Sequence, residues 1–358
     1  MIDRSTFDEI FQFLKQSQRL RPRQYDSEKT ASGFKCRIPF KFRIALQRFP
    51  NDGLSPRFAI LPPSMSEGRA SFDQHGNKCM QPFTQYGICA TVRHRTNAQA
   101  APQFNRTWCE FRLILWTEAA PPMSVDDFSE EFCLTAKAEL RKSISRSLLG
   151  EMTVSMIEPD PLPVFSNGAK GRTQGLLNVT LHSHRLLQDL DQLPRFACGI
   201  DIELIRLTFF STMPMKAMAS VSMLTSHKYL RLHRETVHSN SWSIDPLSWD
   251  CGPAGTKDAT ATCTAVVPIP ITPGDELVPS FCGPLASVRY SLKIHFRLLH
   301  ARHEKLCLVV PLNVFYRRPP EFDSSGRAAS VGRNTSSIAS FITDDAGEVE
   351  VSKWAFGP

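Results

Sequence analysis

The side chains in this sequence that could do chemistry are histidines, cysteines and one glycine-rich loop, and their spacing decides what they can do. His182-Ser183-His184 has the form of a metal pair. On a strand, residues i and i+2 point the same way, so both imidazoles could reach one ion, but a zinc site needs a further ligand of clear identity. None is evident, and a polar loop is the expected setting. His295, His300 and His303 fall on or just after the polar face of an alternating segment and are expected to be solvated. Gly168 to Gly175 (GAKGRTQG) has the glycines of a phosphate loop without its Lys-Ser/Thr ending, so it reads as a flexible hairpin turn. No G-x-S-x-G, H-E-x-x-H or Walker sequence is present. The ten cysteines, at positions 36, 79, 89, 109, 133, 198, 251, 263, 282 and 307, form no C-x-x-C pair, which speaks against zinc. Cys89, Cys109 and Cys307 sit at apolar strand-like positions and read as reduced, buried thiols. No catalytic, cofactor-binding or metal-ligating residue is assigned; the chain reads as non-enzymatic, with no cofactor.

The elements that carry these side chains alternate with period two. Tyr86, Ile88, Ala90 and Val92 share one face, Cys109, Phe111, Leu113 and Leu115 another, and Tyr290 to Leu298 places five apolar residues against four polar ones. Strict alternation means antiparallel strands with one face in a core and one in water. In Ile200 to Phe209 the alternation slips at Leu204-Ile205, as a β-bulge would make it. With 26 Pro and 18 Gly in 358 residues, the strands are separated by loops rather than helices, which predicts an all-β chain of two sandwiches. Trp242 and Trp249 flank a proline-containing loop and are expected at half-buried strand edges. The net charge of +7 is too diffuse to argue for nucleic acid. No apolar run approaches the roughly 18 residues of a membrane span, and the start of the chain does not read as a secretory signal.

Helix is expected in two places only. Ser5 to Arg21 has a capping-box spacing at Thr6 and Glu9, with Phe7, Ile10, Phe11 and Leu14 at helical intervals. Val125 to Ile144 has a β-poor composition and reads as a partly helical connector. The basic residues in and just after it, Lys137, Arg141, Lys142 and Arg146, are candidates for a basic surface. From Arg317 onward the chain is rich in Ser, Gly and charge, and disorder is expected.

The halves of the chain share an ordered set of features. Ile38-Pro39-Phe40, Leu61-Pro-Pro-Ser-Met65, Gln85 to Val92 and a strand ending at Pro121-Pro122 recur as Val267-Pro-Ile-Pro270, Val278-Pro-Ser-Phe281, Arg289 to Phe296 and a strand ending at Pro319-Pro320. That order, with Leu149 to Pro159 and Phe209 to Pro214, resembles the fungal arrestin-like (α-arrestin) proteins over roughly residues 34 to 318. The resemblance implies two tandem immunoglobulin-like sandwiches and a non-enzymatic, cytoplasmic trafficking adaptor, peripheral at the plasma membrane or endosomes. Its partners would be the cytosolic tails of membrane transporters or receptors, a WW-domain HECT ubiquitin ligase and anionic membrane, with no nucleic acid. The family's Pro-Pro-x-Tyr ligase motif is absent; the nearest approach is Pro319, Pro320 and Phe322, without the tyrosine hydroxyl. The family's first strands also lack counterparts, so either the Ser5 to Arg21 helix covers the gap or, as the preferred expectation, the gene product is incomplete. The expected divisions are an extension at 1–30, an incomplete N-like sandwich at 31–122, a linker at 123–147, a C-like sandwich at 148–318 and a tail at 319–358. The alternative is a β-sandwich carbohydrate-binding protein or enzyme.

Overall fold

Side chains that alternate between water and a core, on a chain rich in prolines, leave strand as the main backbone choice. The computed structural model describes residues 26–30, 33–37, 61–65, 71–72, 78–79, 82–94, 103–114, 125, 128–142, 148–165, 169–183, 196–215, 217–251, 261–273, 277–299, 301–317 and 340–341. These residues are overwhelmingly β, with one helical turn among them. The expected helix at Ser5 to Arg21 lies outside them, as does nearly all of the expected tail.

The chain divides into two compact bodies: Met1–Ser64, Thr84–Leu115 and Gly332–Pro358 form one, and Met65–Phe83 and Trp116–Val331 the other. Before residue 115, β1 (Asp26–Thr30) pairs with β2 (Gly33–Arg37), β3 (Ser71–Phe72) with β4 (Lys78–Cys79), and β5 (Tyr86–His94) with β6 (Gln103–Leu113), all antiparallel.

The second body has two main sheets. Besides the β3–β4 pair, its strands in chain order are β7 (Thr135–Lys142), β8 (Leu148–Met156), β9 (Leu162–Val164), β10 (Thr173–Ser183), β11 (Cys198–Ser211), β12 (Leu230–Ile244), β13 (Asp250–Cys251), β14 (Ala261–Ile271), β15 (Phe281–Cys282), β16 (Ala286–Leu298), β17 (Ala301–Arg302), β18 (Leu306–Leu312) and β19 (Val314–Tyr316); the turn α1 (Met223–Ser226) precedes β12. One sheet runs β13-β14-β10-β8-β7-β17 and the other β12-β11-β16-β15, with β18 also on β16. The short strands β9 and β19 pair in parallel. In the first body a further strand, β20 (Ser340–Phe341), lies parallel to β6. Val154, Val179 and Val267 from the first sheet meet Ile202, Leu292 and Leu308 from the second in one core, each almost fully buried.

Two details differ from the sequence reading. Thr135–Lys142 is a strand of the six-stranded sheet, not helical connector. Ala136, Ala138 and Leu140 turn inward while Lys137, Glu139 and Arg141 face water, a period of two that the alanine-rich composition hid. The slip at Leu204-Ile205 coincides with a register shift, but the extra residue is Val237 on β12, since Leu204 pairs with His238 and Ile205 with Thr236. β11 itself alternates without a break: Ile200, Ile202 and Leu204 enter the main core, while Ile205, Leu207 and Phe209 enter a second cluster on the opposite face with Met215 and Leu230. As the sequence led one to expect, the stretch holding Pro268 and Pro270 is a strand, β14, which carries them because beyond its two-residue pairing with β13 it is a sheet edge.

The two sequence repeats form the same hydrogen-bonded clasp. In the first body, the Tyr86 hydroxyl donates to the Pro62 carbonyl at 2.6 Å, the Ser64 N–H donates to the Leu113 carbonyl at 3.3 Å, and the Leu113 N–H returns to Ser64 Oγ at 2.7 Å. In the second, the Tyr290 hydroxyl donates to the Val278 carbonyl at 2.7 Å, Ser280 N–H to the Val314 carbonyl at 2.7 Å, and Val314 N–H to Ser280 Oγ at 3.0 Å. In each case the tyrosine reaches the carbonyl two residues before the serine. Both tyrosine rings are buried, so each hydroxyl needs the partner it finds.

Candidate functional site

The expected basic surface is only partly assembled. Lys137 and Arg141 share the exposed face of β7, but Lys137 Nζ lies 3.3 Å from Glu151 Oε1 and Arg141 Nη2 lies 2.6 Å from Glu139 Oε2. Lys142 pairs through its backbone with Ala301; its side chain and all of Arg146 lie outside the described residues. The segment holding Pro319, Pro320 and Phe322 also lies outside them.

The outer face of β11 and β16 is polar where the main core lies beneath it. Arg297 Nη2 sits 3.1 Å from Asp201 Oδ2, Lys293 Nζ 3.6 Å from Glu203 Oε2, and the Ser241 hydroxyl donates to Asp201 Oδ1 at 2.8 Å. His295 stands in this row between Asp201 and Cys307 in register, and it is buried rather than solvated. Burial holds its pKa below the ordinary histidine value, and the neighbouring Lys305 and Lys293 push it the same way. The carboxylates here are occupied by cations, so no base is poised beside the imidazole.

Of the other histidines singled out, His182 and His303 hold hydrogen bonds, and His300 lies outside the described residues. His182 is exposed on β10, with Nδ1 3.1 Å from Thr262 Oγ1; His184 lies outside the described residues. The Leu298 N–H donates to His303 Nε2 at 3.0 Å, which leaves Nδ1 to donate to the Glu304 carbonyl, so His303 pins the turn after β16. Among the described residues no group of three or more His, Cys, Asp or Glu could hold a metal. Cys89 and Cys133 are exposed, and Cys263 is disulfide-bonded, unlike the reduced, buried thiols expected; Cys251 is its register partner across the sheet edge. Arg106 Nε donates to Cys89 Sγ at 2.8 Å and draws that thiol's pKa down.

The deepest electrostatic feature is structural. Arg289 projects from β16 away from the main core and is buried with Glu131, its Nη2 lying 3.0 and 2.9 Å from the two carboxylate oxygens. The guanidinium lies between the Phe128 and Phe209 rings, 4.5 and 4.7 Å from their centroids, and the Val221 N–H donates to Glu131 Oε1 at 2.7 Å. Rings and carboxylate together compensate a cation that burial disfavours.

One open cleft among the described residues combines charged side chains with room for a ligand. It encloses about 620 Å³ at the end of the six-stranded sheet, where Arg172, Gln174 and Pro270 face Asp160, Phe315 and Arg317. A Cβ on Gly171 would lie 1.6 Å from the Pro163 carbonyl oxygen, so glycine is what lets this chain segment press against β9 and bring Arg172 beside it. On the other side of β9, β19 runs parallel and the Arg317 N–H donates to the Val164 carbonyl at 2.9 Å, fixing the second arginine. The sequence reading missed this site. Gly171-Arg172 was visible in the glycine-rich loop, but nothing in linear spacing joins it to Phe315 and Arg317. No helix among the described residues is long and apolar enough to cross a membrane. In comparisons with known proteins, the chain matches no family model and no curated protein sequence.

Proposed function

We propose that this chain is a non-enzymatic, arrestin-like adaptor built from two tandem immunoglobulin-like sandwiches. It would link cytosolic tails of membrane transporters or receptors to a ubiquitin ligase for endocytosis. The observation that supports this reading is the matched pair of Tyr–Ser clasps, one in each body, on the two stretches whose sequences repeat. A tyrosine bound to the carbonyl two residues before a serine, with that serine closing both bonds to a strand terminus, is too particular an arrangement for unrelated sheets to share by accident. Two related domains on one chain suit a bridging role, because each can present a broad face to a different partner.

The ligase arm rests on Pro319, Pro320 and Phe322. A polyproline turn docks on a WW domain's aromatic groove, and the terminal aromatic residue adds a hydroxyl contact when it is tyrosine. Pull-down with a WW-domain HECT ligase should therefore capture the natural protein weakly and the Phe322→Tyr variant more strongly. Strong capture that survives removal of residues 319–358, or no gain with Phe322→Tyr, would contradict ligase docking at this segment.

A further inference from the structure

From the arginine-flanked cleft we infer that the second body binds a phosphate ester carried on a flat ring, the chemical class to which free nucleotides belong. The inference goes beyond the adaptor reading and does not depend on it.

Arg289 is held by Glu131, Arg206 by Glu235, Arg141 by Glu139 and Arg297 by Asp201. Arg172 and Arg317, by contrast, have no ion-pair or hydrogen-bond partner for their guanidinium groups among the described residues, although Asp160 lines the same cleft. Two guanidinium groups without a carboxylate partner on the lining of one cleft suit a phosphate, whose oxygens accept charge-assisted hydrogen bonds.

The rest of the lining selects what the phosphate is attached to. Phe315, opposite Pro163 on β9, and Pro270, opposite Gln174 on β10, supply flat, rigid apolar walls on which a ring stacks. The Asp160 carboxylate repels a second anion but accepts from a sugar hydroxyl, and its backbone is fixed because the Thr173 hydroxyl donates to the Asp160 carbonyl at 2.6 Å. The Gln174 amide can both donate to and accept from a base edge. The volume falls within the range of small-ligand sites, roughly 300–1,000 Å³. A bilayer fits less well, since the arginines line a recess and a carboxylate stands beside them.

The test is titration calorimetry on the full chain with ADP, adenosine, inorganic pyrophosphate and inositol trisphosphate. ADP should bind more tightly than pyrophosphate or adenosine, because only it engages both arginines and the ring wall. Arg172→Ala and Arg317→Ala should each weaken ADP roughly tenfold or more, as loss of a charge-assisted hydrogen bond does. Phe315→Leu should weaken ADP while leaving pyrophosphate unchanged, which separates lost stacking from general damage. Unchanged melting temperatures in the arginine variants confirm folding, since both side chains are exposed. Three results each overturn the inference: no ADP binding at millimolar concentration, ADP binding that the double arginine variant retains, or inositol trisphosphate binding above ADP with no effect of Phe315→Leu.

Discussion

His233 and His295 are the titrating residues whose environment sets a pH dependence. Burial is the leading reason that both have pKa values below the ordinary histidine level, against opposing pulls from Glu235 on the first and from Glu203 and Asp201 on the second. In the unfolded chain both return to about 6.5. On acidification through that value the unfolded state takes up protons that the folded state refuses, so stability falls as pH drops and is fully present above it. The melting temperature should therefore decline between about pH 7.5 and 5.5, and a His233→Gln/His295→Asn variant should show a flatter profile. An equally steep decline in that variant would locate the effect elsewhere. Sequence alone placed His295 on the polar face of its strand, which is correct. It could not show that His295 is buried there, flanked in register by Asp201 and Cys307.

At the level of elements, the strand from Thr135 to Lys142 and the turn before it change where the second body begins. A fragment starting at residue 148 lacks β7, exposing the edge of β8, and also lacks Glu131, stranding the buried Arg289 without its carboxylate. Breaking a buried pair by removing one partner costs about 3–5 kcal/mol. Residues 148–318 should thus melt well below residues 123–331, or fail to fold, while the longer fragment gives one cooperative β transition by circular dichroism. Equal stability of the two would mean that neither β7 nor Glu131 matters. The strands read from alternation, Tyr86 to Val92, Cys109 to Leu113 and Tyr290 to Leu298, are strands in the structure because their apolar residues sit on one face. β7 escaped because alanines give little hydrophobic contrast, and the cleft escaped because β9, β10 and β19 come together only in three dimensions.

At the scale of the whole molecule, the repeated clasps predict a specific form of additivity. Removing a buried tyrosine hydroxyl loses a hydrogen bond and leaves a carbonyl unpaired, about 1 kcal/mol at each site. Tyr86→Phe and Tyr290→Phe should each lower stability by that order, and in the double variant the losses should add, as they do for sites without shared partners. Denaturant titration of the three variants measures this. A negligible loss at both sites would show the clasps to be incidental, and strong coupling would show that they do not serve separate bodies.

The prolines at 268 and 270 reach beyond their own strand. A long sheet margin normally offers a row of backbone hydrogens onto which a stray polypeptide can zip, the first event in fibril growth. Along β14 that row is missing a donor at two alternating residues, and along β12 the extra Val237 throws the spacing out of step. Growth by strand capture is thereby discouraged along these two strands.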